Sequence, residues 1–344
     1  MEIRAFITHK KAETFLDCQD RFSINIDTKS MAVSDGMSQS FFQKIWAEIL
    51  ATSFTEKKEW DLCDEHSDSV LNSLCLSWTK KVRSRIEEQK RDGAKKNIII
   101  RNENNLVLGK SAGATLVGVR FNANEWTCNV LGDSCLIEIE NSEIKNIYTS
   151  QKEDEFNNYP DHYDSNPKKK GKGKAKKVTG KLESNKTLLL VSDPFSDFLN
   201  EQKKQGSTKL LVNRLLNIET HEDFEALVEE WRTKGMHNDD STLVIIQNDC
   251  SNAITIKHAD KIEELIRLEK NNLQIVPTSI LQGNMEKKEV LVIEFFDVFL
   301  SDFKSILKNY SHCGLYAKVK YKCVEKAFKK AIENFHKKYI VLKR

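Results

Sequence analysis

Four acidic stretches, each at the boundary of a short apolar run, constrain this chain more than any other feature. They are Met31-Ala32-Val33-Ser34-Asp35-Gly36, Leu188-Leu189-Leu190-Val191-Ser192-Asp193, Asp239-Asp240-Ser241-Thr242-Leu243-Val244-Ile245-Ile246, and Asp20 just ahead of Arg21-Phe22-Ser23-Ile24. Apolar runs of this length read as β-strands. A carboxylate at a strand end is held at the rim of a sheet, where several can converge. Converging carboxylates cannot all ionise unless a cation neutralises them. An all-oxygen donor set suits hard divalent ions, Mg²⁺ or Mn²⁺. The pattern predicts a metal site built across a β core.

A chain of 344 residues with 39% apolar and 31% charged residues can bury a substantial core, as one large domain plus a smaller one. No window of 18 uninterrupted apolar residues occurs, so no membrane span is expected. The start, Met1-Glu2-Ile3-Arg4-Ala5-Phe6, lacks the apolar stretch of a signal peptide. The eight cysteines are scattered and none forms a CxxC pair, which argues against a zinc ribbon and for a reducing cytoplasm.

The net charge of +3 is unevenly spread. The run Lys168-Lys169-Lys170-Gly171-Lys172-Gly173-Lys174-Ala175-Lys176-Lys177 holds seven lysines and no acid, and residues 315–344 hold ten Lys/Arg against two acids. The rest is net acidic, which agrees with a cation-binding core and disfavours nucleic acid as a partner over the whole surface.

Residues 1–250 read as one α+β domain. Ile3, Ala5 and Ile7, then Phe22, Ile24 and Ile26, alternate as in half-buried strands. Ser38 or Ser40 is placed to cap a helix whose Phe41, Phe42, Ile45, Trp46 and Ile49 share a face, and a second helix is expected at 68–90. Residues 97–148 read as a β meander with strands at 97–100, 114–119, 126–130 and 136–139. Residues 150–187, polar and lysine-rich, read as a flexible flap. A strand at 187–192, helical residues 195–234 and a strand at 242–247 complete the domain. Residues 251–344 are expected to form a small, mainly helical, basic appendage, with helical spacing around Ile262, around Phe295–Leu307 and around Val324–Phe335.

Six short motifs follow one another: Gln19-Asp20-Arg21-Phe22, Ala32-Val33-Ser34-Asp35-Gly36-Met37, Ser111-Ala112-Gly113-Ala114-Thr115, Asn129-Val130-Leu131-Gly132-Asp133-Ser134, Leu190-Val191-Ser192-Asp193 and Asn238-Asp239-Asp240-Ser241-Thr242. In this order the chain resembles the metal-dependent serine/threonine protein phosphatase family, the protein phosphatase 2C type. The resemblance implies a four-layer α-β-β-α sandwich of two antiparallel sheets flanked by helices. It also implies a signalling enzyme that hydrolyses phosphoserine and phosphothreonine in proteins by a metal-activated water, without a phosphoenzyme intermediate. Asp35 would bridge two Mn²⁺ or Mg²⁺ ions, the Gly36 carbonyl would ligate one, and Asp193 and Asp239 would complete the other. Asp20 would act through a bound water, and Asp133 stands where some members hold a third ion. Two ions roughly 3.5–4 Å apart acidify a shared water and clamp phosphoryl oxygens.

Each motif also has a plainer reading. Asp35-Gly36 is an ordinary turn sequence, Ser192-Asp193-Pro194 is a good helix start with Asp193 as N-cap, and Asp239-Asp240 could be a solvated turn. Three features depart from the family: Pro194, Ser38-Gln39 after Met37, and Phe15 and Leu16 where a phosphate-binding arginine is expected. Lys10, Lys11 or Arg21 stand nearby as substitutes. A pseudophosphatase, a metal-binding scaffold without turnover, is the alternative reading. The lysine run reads either as a solubilising loop or as an attractor of acidic or phosphorylated substrates. The C-terminal region would regulate the enzyme or recruit a protein partner.

Overall fold

Apolar runs buried on both faces form the central strands of the two main sheets. The computed structural model describes residues 1–57, 67–151, 160–169, 171–206, 208–249 and 253–270. The chain divides into two compact units, Met1–Glu269 and Lys270–Arg344. The helices expected within 271–344 lie outside the described residues.

In chain order the first unit begins with strands β1 (Glu2–Thr8), β2 (Arg21–Asn25) and β3 (Ser30–Ser34), then helices α1 (Gln43–Glu56), α2 (Ser67–Arg91) and α3 (Lys96–Val107). Strands β4 (Gly113–Ala114), β5 (Leu116–Asn122), β6 (Glu125–Leu131), β7 (Cys135–Glu140), β8 (Glu143–Tyr148), β9 (Tyr163–Asp164), β10 (Lys176–Lys181) and β11 (Lys186–Val191) follow. Helices α4 (Asp193–Lys204), α5 (Thr208–Leu216) and α6 (His221–Thr233) lead to β12 (Ser241–Gln247) and β13 (Thr255–Ala259). A six-stranded sheet has the order β13-β1-β12-β11-β7-β8, and a five-stranded sheet the order β10-β6-β5-β3-β2.

Strand alternation divides the apolar residues among three cores. In β1, β11 and β12, Ile3, Ala5, Leu188, Leu190, Val244 and Ile246 meet Met31, Val33, Val117 and Val119 of the other sheet. The intervening Phe6, Leu189, Val191, Leu243 and Ile245 turn the other way, onto Phe195, Leu199, Val212, Phe224 and Trp231 of α4, α5 and α6. On the outer face of the five-stranded sheet, Ala32 and Leu116 pack with Trp46, Leu50 and Phe54 of α1 and Leu74, Trp78 and Val82 of α2. Burial on both faces explains the near-continuous apolar runs in these antiparallel strands. Helix α1 comes close because its neighbours are small: Ala32 pairs with Gly118, and a Cβ at Gly118 would collide with the Phe54 ring.

The fold departs from the sequence reading in several places. Residues 97–100 form the first turn of α3, not a strand; Ile99, Asn102 and Leu106 fall on one helical face against the α1–α2 core. A short apolar run does not reveal its period, and here the helical one prevails. The serines do not cap α1: its N-cap is Phe42, in the left-handed region at φ 56°, while Ser40 Oγ donates to the Met37 carbonyl at 2.8 Å. The described part of 150–187, expected as a flexible flap, holds β9 and β10, the latter paired along its length with β6. β10 escaped notice because a backbone ladder needs no apolar side chains, and only Val178 alternates as a buried position would. Beyond residue 250, β13 pairs in parallel with β1, so the six-stranded sheet is not wholly antiparallel.

Candidate metal centre

Pairing registers bring every acidic motif to one end of its sheet. Thr8 pairs with Ser241, and Val191 pairs with both Leu243 and Cys135, so β1 ends where β12 begins and β11 ends where β7 begins. In the other sheet Arg21 pairs with Ser34 and Leu116 with Leu131, so β2 begins where β3 and β6 end. Asp20, Asp35, Asp133, Asp193, Asp239 and Asp240 all stand within two residues of these strand ends.

Hydrogen bonds fix several of them. The Thr242 hydroxyl donates to Asp20 Oδ2 at 2.8 Å, joining β12 to the entry of β2 across the two sheets. The Asp240 carboxylate, 3% exposed, accepts from the backbone amides of Lys10 at 2.9 Å and Gln19 at 2.7 Å, and so holds both ends of the 10–19 loop. The Thr115 hydroxyl accepts from the Asp35 amide at 3.3 Å, and the Thr115 amide donates to the Asp35 carbonyl at 2.9 Å. Gly36 is glycine for want of room: a Cβ would stand 3.0 Å from the Gln19 carbonyl oxygen. The Ser196 hydroxyl of α4 donates to the Asp133 carbonyl at 2.6 Å.

The carboxyls burden one another electrostatically. Loss of hydration pushes Asp35 up to about 8, with Asp133 and Asp239 adding to the rise. Desolvation raises Asp193 well above the usual carboxylate range, reinforced by Asp35, Asp133 and Asp239. Asp20, fully buried, is raised by desolvation, then by Asp35 and Asp240. Desolvation takes Asp133 to about 7, with Asp197 contributing. Burial and the proximity of like charges both disfavour the ionised form of a carboxyl.

The structure thus brings Asp20, Asp35, Asp133, Asp193 and Asp239 into one electrostatic cluster. Asp193 is not an N-cap: Ser192 holds that position, and Asp193 opens α4 with Pro194 behind it. The three cations near the departed arginine part ways. Arg21 donates to the carbonyls of Cys18 and Asp20, and Lys11 reaches Glu229 at 3.3 Å on the surface. Lys10, 18% exposed, places Nζ 3.3 Å from Asp239 Oδ1. Burial pulls its pKa down, but Asp239 and Asp240 raise it more, so its charge is held on. His237 is 76% exposed and 4.0 Å from Asp197.

Two contributions escaped the sequence reading. Asp197, one helical turn beyond Asp193, acts on Asp133, and its spacing was the only available signal. Arg232 donates to the Asp239 carbonyl at 2.8 Å and the His9 carbonyl at 3.1 Å, tying α6 to the site; its sequence context gives no hint of this.

The residues fit a hard divalent cation in their chemistry. Asp20 Oδ1 and Asp133 Oδ1 are buried and find no hydrogen-bond partner among the described residues. The donors are all oxygen, and the excess is negative. Among the described residues, no three His, Cys, Asp or Glu side chains are gathered tightly enough to hold an ion by themselves.

Solved structures similar to this chain are phosphatases, the class that the motif order resembles. A bacterial serine phosphatase is 15% identical with a TM-score of 0.45, over 76% of this chain and 99% of its own. The catalytic domain of the serine threonine protein phosphatase PstP, in complex with 2 manganese ions, is 14% identical with a TM-score of 0.45, over 71% of this chain and 96% of its own. The photosystem II phosphatase PBCP is 14% identical with a TM-score of 0.46, over 71% and 97%. No protein-family model matches the chain, and no curated protein matches it.

Proposed function

We propose that this chain is a metal-dependent phosphatase acting on phosphoserine and phosphothreonine in proteins. The observation that carries the reading is the convergence of Asp20, Asp35, Asp133, Asp193 and Asp239 from the ends of strands in two sheets, where burial first and neighbouring carboxylates second raise Asp20, Asp35, Asp133 and Asp193. The three cores support an α-β-β-α layering that sets this cluster at one end.

Asp35, Gly36 through its carbonyl, Asp193 and Asp239 would hold two Mn²⁺ or Mg²⁺ ions, with Asp133 serving a third. When bound, such ions neutralise phosphoryl oxygens and acidify water for in-line attack. The chain's own part is positional. Asp20, fixed by Thr242, presents one unpartnered carboxylate oxygen that would orient a water. Asp240 and Arg232 hold the backbone around Asp239, so that its carboxylate is presented without reorganisation. The buried thiols of Cys18, Cys75 and Cys135 support a reducing, cytoplasmic setting. Among the described residues no helix is long and apolar enough to cross a membrane. The C-terminal region would regulate the enzyme or recruit a protein partner.

One observation favours the second reading, a pseudophosphatase scaffold: of the cations near the place expected to hold a phosphate-binding arginine, Arg21 is held by the Cys18 and Asp20 carbonyls, Lys11 by Glu229 and Lys10 by Asp239. Hydrolysis of a phosphothreonine peptide with Mn²⁺, with Mg²⁺ and with EDTA, beside Asp239→Asn, decides between them. Turnover that needs metal and fails in the variant supports the enzyme. Mn²⁺ binding without turnover supports the scaffold, and neither turnover nor binding removes both.

A further inference from the structure

We propose that the pocket between the 10–19 loop, the start of α1 and α3 receives an acidic side chain that flanks the phosphoresidue of the substrate, with Lys44 and Arg101 as its cations. The proposal rests on the phosphatase reading for its substrate and on separate observations for the pocket. The cavity has a volume of about 610 Å³, in the range of ligand clefts, and its lining includes Gln19, Phe42, Gln43, Lys44, Arg101 and Asn102. It borders the carboxylate cluster. An ideal Cβ on Gly36 would stand 3.0 Å from the Gln19 carbonyl oxygen and 3.2 Å from Gln43, so Gly36 is wedged between two lining residues. The Gln19 amide itself donates to Asp240.

Three features of the lining call for an anion. Lys44 is half-buried and its Nζ donates to the Leu16 carbonyl at 2.7 Å, while Arg101 is exposed at the pocket wall. Neither cation has a carboxylate within ion-pair distance among the described residues. Burial, then Arg21 and Arg85, lower the Lys44 pKa, and Asp17 offsets this only in part. Helix α1 opens at the same wall with no side-chain cap on Phe42 and no acid in its first turn, so its positive end is uncompensated.

Asn102 adds a group that an acidic side chain alone would not use. It is 7% exposed on the inner face of α3, its Nδ2 donates to Gln89 Oε1 at 3.1 Å, and its Oδ1 accepts from no described residue. Buried amides are ordinarily satisfied on both sides. A peptide bound through its carboxylate to Lys44 and Arg101 would bring the missing N–H. Two acids share the wall, but each is engaged: Asp17 accepts from the Thr14 hydroxyl at 2.7 Å, and Glu13 lies 3.8 Å from Lys10 Nζ. Beyond the pocket, residues 89–102 set Lys90, Arg91, Lys95, Lys96 and Arg101 against Asp92 alone, a field that steers acidic peptides inward.

The test uses the full chain with Mn²⁺ and two labelled peptides that carry a non-hydrolysable phosphonate in place of phosphothreonine. One is flanked by Glu and one by Ala, and binding is read by fluorescence anisotropy. Wild type should prefer the Glu peptide by about tenfold. Lys44→Met and Arg101→Gln should each remove about three- to fivefold of that preference, while binding of the Ala peptide stays within about twofold. Arg101→Lys should keep the preference. So should Lys209→Met, an exposed position on α5, which packs on the other sheet. Arg101 is exposed, so its variant decides the matter even where Lys44→Met fails to fold. Equal binding of both peptides by wild type overturns the proposal, as does an unchanged preference in folded Arg101→Gln. An equal loss in Lys209→Met also overturns it, since net charge alone would then act. A preference for the Glu peptide without hydrolysis of a phosphothreonine peptide sustains the pocket and removes the phosphatase reading.

Discussion

The Thr242 hydroxyl and the Asp20 carboxylate, 2.8 Å apart, fasten the two sheets together at their acidic end. Both residues are fully buried, and Asp20 keeps a second oxygen without a hydrogen-bond partner among the described residues. Thr242→Val should therefore cost about 1–3 kcal/mol of stability. Thr242→Ser should restore most of it. Urea unfolding of the three proteins checks this, and a Val variant as stable as wild type would deny the bond its role.

Asp240 serves the site through the backbone. Its carboxylate closes the 10–19 loop through the amides of Lys10 and Gln19. Asp240→Ala should destabilise the protein by about 1–3 kcal/mol, because two part-buried amide donors lose a charged acceptor. Faster hydrogen exchange should be confined to that loop and the residues around Asp239. A loss below about 0.5 kcal/mol would place Asp240 among ordinary surface acids.

Lys10 competes with any cation for Asp239. Lys10→Met should tighten Mn²⁺ binding by about fivefold, the scale of one partly exposed ion pair. Calorimetric titration of both proteins measures it. Weaker binding in the variant would mean that the lysine supports the ion site.

Much of this architecture was legible because the strands are buried on both faces. The runs ending at Asp35 and Asp193 and the run beginning at Asp240 are short, apolar and bounded by Asp-Gly, Asp-Pro or Asp-Asp, as internal strands are. Carboxylates at their ends had to reach a common rim. What remained hidden depends on pairing that side chains do not announce. Strand β10 is held through its backbone to β6, and Gly171 and Gly173, which look like linker residues, are glycines because His162 and Asp161 leave no room for a side chain. Residues 97–100 misled because three isoleucines in a row satisfy either period. The Lys10–Asp239 pair joins residues far apart in sequence, so no local pattern could show it.

His221, whose ring lies 5.7 Å from that of Phe15, gives the fold a pH dependence outside the carboxylate cluster. Burial lowers its pKa, but hydrogen bonds with Asp260 and Glu225 overcome this and raise it to about 10. A raised histidine contributes fully below its unfolded value of about 6.5, and the contribution is lost as the pH rises through about 10. His221→Gln should cost about 1 kcal/mol at pH 6, allowing for partial exposure, and progressively less towards pH 10. Thermal unfolding of both proteins across that range is the check. A gap that does not narrow would mean that the ring contributes by packing alone.

The central claim, that strand-end carboxylates from two sheets form one cation site, is tested most directly by calorimetric titration of Mn²⁺ into wild type and Asp35→Asn. About two ions should bind per wild-type chain. Replacing the carboxylate that Asp133 and Asp239 surround should abolish binding while the fold persists by circular dichroism. Mn²⁺ binding that is absent from wild type, or unchanged by the substitution, would contradict it.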